Sequence, residues 1–410
     1  MRTISIQAPS NAVNTVIELP LSKSISNRML IIGYLAGIHK LIRIPDCEDS
    51  ATMLNLIEQL VSGKNNQFDA GDAGTVYRFL TALFSIIPGE RVLKGSARMH
   101  QRPIGPLVEA LKSLGADITY ISEENYPPLL IQGKALEGGA VDIDGSVSSQ
   151  FISAIMMIAP YMKSGLTIKT HARVSRPYIE MTLSLMKDCG IPVFTEDNYI
   201  RILPGKYSVN HNVYEADWSA ASYWYALSAL SKNMEITLKG LKNESSQGDS
   251  VLPGLFEPLG VFSTRNINGD LILNSTGVTV DKISVNLINN PDLAPALAVA
   301  CAGLQIESHI SGLDTLAIKE SNRLQTIKEG LNSTGFICSI HQNSLIISKG
   351  RVPVTDSTIK TYNDHRIAMA MSLLSLTAGQ LIIDDADVVR KSYPQYWDHL
   401  KLAGFTIRPV

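Results

Sequence analysis

Basic side chains in this sequence stand in short polar clusters rather than in runs. Lys23, Ser24 and Arg28 fall within Leu19–Arg28, at an expected strand-to-helix junction. Two cations with a hydroxyl beside them suit a phosphate. The glycines of a nucleotide P-loop are missing, which argues against ATP. Gly71-Asp72-Ala73-Gly74-Thr75 comes next, followed by Arg78. Gly74 has no Cβ to keep an anion from the free N–H groups of a helix start. Arg98 and Arg102 precede Pro103, in the manner of a carboxylate or phosphate clamp. Ser148, Ser149 and Gln150 open one apolar segment, with Ser149 the expected cap. Ser175, Arg176, Pro177 and Tyr178 open another, and their polar groups could hold a phosphate and hydroxyls. Taken singly, each cluster also reads as a capped turn or a solvated basic helix start.

The second half of the chain adds carboxylates to the cations. Asp292 lies in Asn289–Ala294, and Lys319-Glu320-Ser321-Asn322-Arg323 follows. Asn363-Asp364-His365-Arg366 and Lys391-Ser392-Tyr393-Pro394 complete the set. A carboxylate among so many cations is either structural or able to move protons. Asp364 and His365 do not make a serine-hydrolase triad, because no nucleophile elbow accompanies them.

These clusters must be positioned by a repeating scaffold. Apolar-periodic segments close at glycines 115, 190, 260, 335 and 404, with gaps of 75, 70, 75 and 69 residues, and each leads into a short apolar strand. Glycine after the last helical turn takes positive φ and ends the helix. Thr52–Leu60 reads as an earlier, divergent member. A second helix type interleaves: Thr75–Leu83, Ser149–Ala159, Trp218–Ala229, Asp292–Ala302 and Asp364–Leu376. These are rich in small apolar residues, which suits burial. Their starts carry the polar clusters Ala70–Thr75, Gly145–Gln150, Tyr214–Ser219, Asn289–Ala294 and Tyr362–Arg366. Helix N-termini present free N–H groups and a positive dipole end, so several such ends together form an anion site without much net charge. The pattern predicts an α/β protein of six units, each with two helices and about four strands, three units to a domain. The chain is expected to cross between domains near Pro20 and Ala216–Asp217, with one opening strand over Arg2–Glu18.

A chain of 410 residues suits two domains. Its net charge of -2, from 36 basic and 38 acidic residues, is not that of a general nucleic-acid binder. Cys47, Cys189, Cys301 and Cys338 form no CxxC pair and no zinc spacing, so buried thiols in a reducing compartment are expected. The apolar runs near Ile155–Met162 and Leu293–Leu304 are too short to span a bilayer. With no apolar leader at Met1–Ser10, a cytoplasmic location is expected.

The ordered set Ser22–Arg28, Ala73–Thr75, Arg102–Gly105, Ser148–Phe151, Arg176–Ile179, Lys319–Arg323, Tyr362–Arg366 and Lys391–Pro394 resembles the 3-phosphoshikimate 1-carboxyvinyltransferase (5-enolpyruvylshikimate-3-phosphate synthase) family. The resemblance implies two similar domains, each of three βαβαββ-type units in an inside-out α/β barrel, with an active site in the cleft between them. It implies a discontinuous domain of residues 1–19 and 218–410 and an inserted domain of residues 20–217. It assigns shikimate 3-phosphate to Lys23, Ser24, Arg28, Ser148, Ser149, Gln150, Ser175, Tyr178, Asp292 and Lys319. It assigns phosphoenolpyruvate to Lys23, Gly74, Arg102, Gln150, Arg323, Arg366 and Lys391. Asp292 and Glu320, with Lys23, match the groups that move protons. No metal or organic cofactor is expected. The expected partners are the two small anionic substrates, with no nucleic acid and no membrane, and the family implies a monomer.

The chemistry explains the cations. Each substrate phosphate contributes roughly -1.5 to -2 near neutral pH, and each substrate adds a carboxylate. Leu21 stands where the family pattern has glycine, Asp72 and Asn322 replace asparagine and aspartate, and Thr315 replaces an asparagine of some members. Of these, Asp72 is the least expected near an anion. The sister activity on UDP-N-acetylglucosamine uses a loop cysteine that Arg98–Gly105 lacks. A non-catalytic anion-binding homologue is the reading from another class, and an RNA-end-processing enzyme lacks both a basic surface and a nucleotide motif.

Overall fold

The computed structural model describes the chain except residues 1, 12–13, 39–42, 144–147, 171–174, 210–213, 232–233, 353 and 355–356. Gly145-Ser146-Val147, part of one predicted polar cluster, therefore lies outside the described residues. The chain divides into two compact units, Met1–Leu21 with Glu215–Val410, and Ser22–Tyr214.

Five four-stranded sheets occur among the described residues. All share one pattern: a parallel pair, then two antiparallel neighbours. In the unit Ser22–Tyr214, Gln67–Asp69 pairs in parallel with Gly89–Lys94, which pairs antiparallel with Leu129–Gly133, and that with Asp117–Tyr120. Gly139–Ile143, Leu166–Thr170, Tyr199–Ile202 and Val193–Glu196 repeat it. In the other unit the same order joins Lys282–Asn286, Glu307–Ser311, Ser344–Arg351 and Phe336–His341. The parallel pair forces a crossover, which each unit makes with a helix. The chain order strand, helix, strand, helix, strand, strand is the βαβαββ unit.

The N-terminus departs from the sequence expectation. Arg2–Glu18 is not one strand. Ile4–Gln7 lies between Leu381–Ile383 and Thr406–Pro409, completing the last sheet. Thr15–Glu18 pairs in parallel with Glu235–Lys239 and so begins another sheet, far from the first in sequence. The ladder partners are supplied by residues more than 200 positions away, so local pattern did not reveal the break. The sixth expected unit, around the helices Lys23–Leu35 and Glu48–Ser62, shows no four-stranded sheet among the described residues.

The small-residue helices are buried as expected. Gly74–Ile86 packs against Ser149–Ile158, and both meet Lys23–Leu35. In the other unit Trp218–Leu230, Ala294–Gly303 and His365–Ser372 pack on one another. Each group is the centre of one hydrophobic core. The four cysteines are buried and none is in a disulfide. No helix among the described residues is long and apolar enough to cross a membrane.

The glycine that closes the helix Arg323–Ser333 shows why the repeat is legible. Gly335 has φ +88, and a Cβ there would lie 1.9 Å from the carbonyl oxygen of Val352. The left-handed conformation alone disfavours alanine by about 1–2 kcal/mol. Gly335→Ala is expected to lower the urea midpoint by at least that equivalent, and an unchanged midpoint would contradict the close approach.

Candidate active site

The candidate site residues are divided between the two units, several of them at helix starts, and the arginines of the two sets differ in how they are held. In the unit Ser22–Tyr214, Ser22 caps the Lys23 helix by accepting from Ile25 N. That fixes Lys23 at the first turn, where its Nζ donates to Asp49 Oδ2 at 2.8 Å. Arg28 is buried one turn further on. Its Nε donates to Thr182 Oγ1 at 2.7 Å, Nη1 to the Ser24 carbonyl at 2.9 Å, and Nη2 to Ser153 Oγ and the Tyr178 carbonyl at 3.3 and 3.2 Å. The guanidinium also lies over the Phe79 ring, 5.4 Å from its centroid. All of these acceptors are neutral. Burial pushes the Arg28 pKa down to about 10, with the Tyr178 phenol opposing it, so the group stays charged at neutral pH.

A second group surrounds the Gly74 helix. Gln150 donates from Nε2 to Thr75 Oγ1 at 3.0 Å and accepts from Arg78 Nη1 at 3.1 Å. Arg102 is 6% exposed, and its Nη1 donates to the Asp72 carbonyl at 3.4 Å. Among the described residues its Nε is buried without a hydrogen-bond partner. A Cβ on Gly74 would sit 2.4 Å from Arg78 Nη1 and 2.7 Å from Arg102 Nη1, so only glycine lets both guanidiniums reach this helix start. The carboxylate of Asp72 does not cap the helix: the N-cap position is Ala73, and Asp72 Oδ1 accepts from the Ser96 hydroxyl.

Ser148, rather than Ser149, caps the next helix, by accepting from Gln150 N. Ser149 is the first helical residue and is buried. Ser175 holds φ +56, a left-handed conformation uncommon outside glycine, and its hydroxyl makes no cap bond to the Arg176 helix. Tyr178 lies in that helix, its carbonyl taken by Arg28 and Thr182.

In the other unit the cations meet carboxylates. Arg323 is 1% exposed. Its Nε donates to Asp364 Oδ2 at 2.8 Å, Nη1 to Asp292 Oδ1 at 2.8 Å, and Nη2 to Glu320 Oε2 at 2.5 Å. Arg366 Nη2 donates to Asp292 Oδ2 at 3.2 Å, and Lys319 Nζ lies 3.4 Å from Asp292 Oδ1. Asp364 also accepts from Ser321 Oγ and caps the His365 helix through Arg366 N. One carboxylate thereby fixes two arginines: Arg323 by ion pair and Arg366 by helix start. Lys391 is buried at the end of the stretch Ala386–Lys391, which packs against the His365 helix.

Asp292 is not the start of the Ala294 helix, as the sequence suggested. It lies in a short 3-10 turn, Pro291–Leu293, and the N-cap position of the helix that follows is Leu293. Its carboxylate faces three cations. Burial alone would raise its pKa, but Arg366, Lys319 and Arg323 outweigh both that and the repulsion of Glu320, holding it well below the usual carboxylate range. Burial lowers the Lys319 pKa, which Asp292 opposes. The Arg323 pKa is raised: burial would lower it, and Asp364, Glu320 and Asp292 win.

The departures from the family pattern differ in how the structure meets them. Asn322 caps the Arg323 helix, accepting from Gln325 N at 3.3 Å, which an aspartate would do equally well. Thr315 is 6% exposed, with its hydroxyl buried and without a partner among the described residues. Leu21 makes an isolated bridge with Ala216. Sequence reasoning missed Asp49, Ser153, Thr182 and the pairing role of Asp364. Only Asp364 had a local signal, its place before His365 and Arg366 at a small-residue helix.

The fold is shared with solved enolpyruvyl transferases. An EPSP synthase from Acinetobacter baumannii superposes with a TM-score of 0.79 at 23% identity, covering 100% of both chains. The enolpyruvyl transferase NikO from Streptomyces tendae gives 0.74 at 12% identity, over 100% of this chain and 99% of that one. A curated 3-phosphoshikimate 1-carboxyvinyltransferase from Bacteroides fragilis (strain ATCC 25285) is 43% identical over 408 residues, covering 98% of each chain. One from Vibrio campbellii is 34% identical over 429 residues, covering 98% of this chain and 99% of its own. The family model for EPSP synthase (3-phosphoshikimate 1-carboxyvinyltransferase) matches residues 7–400, and the chain belongs to that family.

The ion network makes a signed pH prediction. A carboxyl whose folded pKa lies below its unfolded value, about 3.9 for aspartate, stabilises the fold above that value and loses the contribution as pH falls. Breaking such a buried set typically costs about 3–5 kcal/mol. The stability advantage of the native protein over Asp292→Asn is therefore expected to be constant from about pH 8 to pH 5 and to shrink below about pH 4. Urea unfolding across that range measures it; a gap that widens on acidification would contradict the assigned ionisation.

Proposed function

We infer that this protein transfers the carboxyvinyl group of phosphoenolpyruvate to the 5-hydroxyl of shikimate 3-phosphate, releasing inorganic phosphate. Beyond family membership, the observation that carries the reading is a pair of buried guanidiniums, Arg28 and Arg102, whose hydrogen bonds among the described residues go to neutral oxygens. A buried cation without a counter-charge is unfavourable by itself. An anionic ligand supplies the missing charge, and arginine matches flat carboxylates and phosphates in two-point geometry.

The ligand assignments follow the chemistry of each group. Lys23, Ser24, Arg28, Ser148, Ser149, Gln150, Ser175 and Tyr178 receive the acceptor's phosphate, carboxylate and hydroxyls, with Asp292 and Lys319. The unpartnered Thr315 hydroxyl is a further donor or acceptor for it. Phosphoenolpyruvate is held by Lys23, Arg102, Gln150, Arg323, Arg366 and Lys391, beside the open helix start at Gly74.

The reaction is an addition followed by an elimination. The acceptor oxygen bonds to C2 of phosphoenolpyruvate, its proton leaves to a base, and C3 gains a proton. The C2–O bond to phosphate then breaks, C3 gives up a proton, and the vinyl group is restored. Asp292 takes the hydroxyl proton, and Glu320 with Lys23 serves C3. Without substrate Asp292 is a weak base, because three cations stabilise its anion. Substrate anions that draw Lys319 and Arg366 toward themselves return basicity to it. Arginines then stabilise the charge of the departing phosphate.

The test is release of phosphate from shikimate 3-phosphate and phosphoenolpyruvate, with the product identified by mass and UDP-N-acetylglucosamine as competing acceptor. No turnover with shikimate 3-phosphate, or preference for the nucleotide sugar, would overturn the reading. Arg102→Ala is expected to lower kcat/KM for phosphoenolpyruvate by the equivalent of about 2–5 kcal/mol with little change in Tm. Asp292→Asn is expected to lower kcat about 10²–10⁴-fold while shikimate 3-phosphate still binds, measured by calorimetry. Near-normal turnover in a folded Asp292→Asn protein would remove it from the mechanism.

A further inference from the structure

Behind the Asp292 turn lies a buried carboxylate that the reaction above does not use. Asp249 is 3% exposed, in the short turn Gly248–Val251. Its Oδ2 accepts from Ser219 Oγ at 2.5 Å, and its Oδ1 accepts from Asn290 Nδ2 at 3.3 Å. Both donors are themselves fixed. Ser219 is the second residue of the Trp218 helix, its N–H bonded to the Asp217 cap at 2.8 Å. Asn290 is two residues before Asp292, its carbonyl accepting from Leu293 N at 3.0 Å and its N–H donating to the Leu287 carbonyl at 2.9 Å. The Asp249 turn is anchored in turn by Gln247, whose Oε1 accepts from Trp218 N at 3.2 Å and whose Nε2 donates to the Ala216 carbonyl at 2.8 Å and to Glu215.

We propose that Asp249 is a positioning residue for the carboxyvinyl transfer: it grips the Asn290 side chain from the Trp218 helix and so fixes the turn that aims Asp292 at Arg366, Lys319 and Arg323. The proposal rests on the reaction assigned above. Asp249 touches none of those cations through a hydrogen bond, and acts through Asn290 and through its charge. It lies within the electrostatic reach of Arg366, which it attracts, and of Asp292, which it repels.

Fold stability does not account for a carboxylate here. Burial raises the Asp249 pKa to about 6, against the help of Ser219, Arg366 and Asn290. A carboxyl raised in the folded state stabilises the fold at low pH and loses that contribution as pH rises through the folded value. At pH 8 the ionised group is therefore a net burden on the fold. An amide of the same shape removes the burden and can still meet both neighbours, its oxygen accepting from Asn290 and its N–H₂ donating to the Ser219 hydroxyl, but its grip on Asn290 is weaker than a carboxylate's and it lacks the charge facing Arg366. Groups kept at the expense of stability are candidates for function.

The test compares Asp249→Asn, Asn290→Ala and the double variant with the native enzyme at pH 8, reading kcat, both KM values and Tm. Asp249→Asn is expected to keep or raise Tm while kcat falls about 10–100-fold and each KM stays within about threefold, the effect of a misaimed base rather than of lost ligand contacts. Asn290→Ala is expected to lower kcat by a similar factor, and the double variant no further than the worse single one, because both act on one linkage. Unchanged kcat in folded Asp249→Asn overturns the proposal, as does a kcat loss that tracks only a fall in Tm, or losses that multiply in the double variant. If Asp249→Asn does not fold, the assigned burden is wrong and the proposal falls. Native protein without turnover on these substrates would remove the reaction itself, an outcome distinct from active native protein beside an unaffected variant.

Discussion

A guanidinium taken out of water must be met by charge or by hydrogen bonds, and Arg323 is met by both. Three carboxylates from separate parts of one unit, Asp292, Glu320 and Asp364, converge on it. That convergence ties the Pro291–Leu293 turn, the Arg323 helix and the His365 helix into one arrangement. Asp364 extends the constraint, since the same side chain starts the helix that presents Arg366. Removing any one of these groups leaves an uncompensated buried charge, so the set behaves as a unit.

The unit Ser22–Tyr214 solves the same problem differently. Arg28 is held by hydroxyls and backbone carbonyls and by the Phe79 ring, and Arg102 by one carbonyl. Neutral acceptors position a cation without cancelling it. Arg323 and Arg366 are paired with carboxylates, whereas the described partners of Arg28 and Arg102 are neutral. Both settings occur in a chain whose total charge is only -2.

Two departures from the family pattern have a visible local partner. Asn322 keeps the cap that an aspartate would make. Asp72, the substitution most at odds with an anion site, has its carboxylate bonded to the Ser96 hydroxyl while its backbone carbonyl meets Arg102. What matters at such a position is which atom faces the cation, and side-chain identity does not state that.

The sequence by itself determined the unit of the fold and the kinds of residue at each helix start. Helix periodicity, a closing glycine and an N-terminal polar cluster are local features, visible over a dozen residues, and their recurrence near every 70 residues exposed the repeat. The motif set named the family and most of the charged groups. Tertiary structure alone decided the pairings, because each spans a long stretch of chain: 26 residues from Lys23 to Asp49, 74 from Asp292 to Arg366, 154 from Arg28 to Thr182. It also decided that Asp292 is no helix cap, that Ser148 caps in place of Ser149, and that Ile4–Gln7 and Thr15–Glu18 belong to different sheets. Hydrogen-bond partners and ion pairs are chosen by the packing of whole helices against one another, and that packing is set by side chains scattered over the entire core.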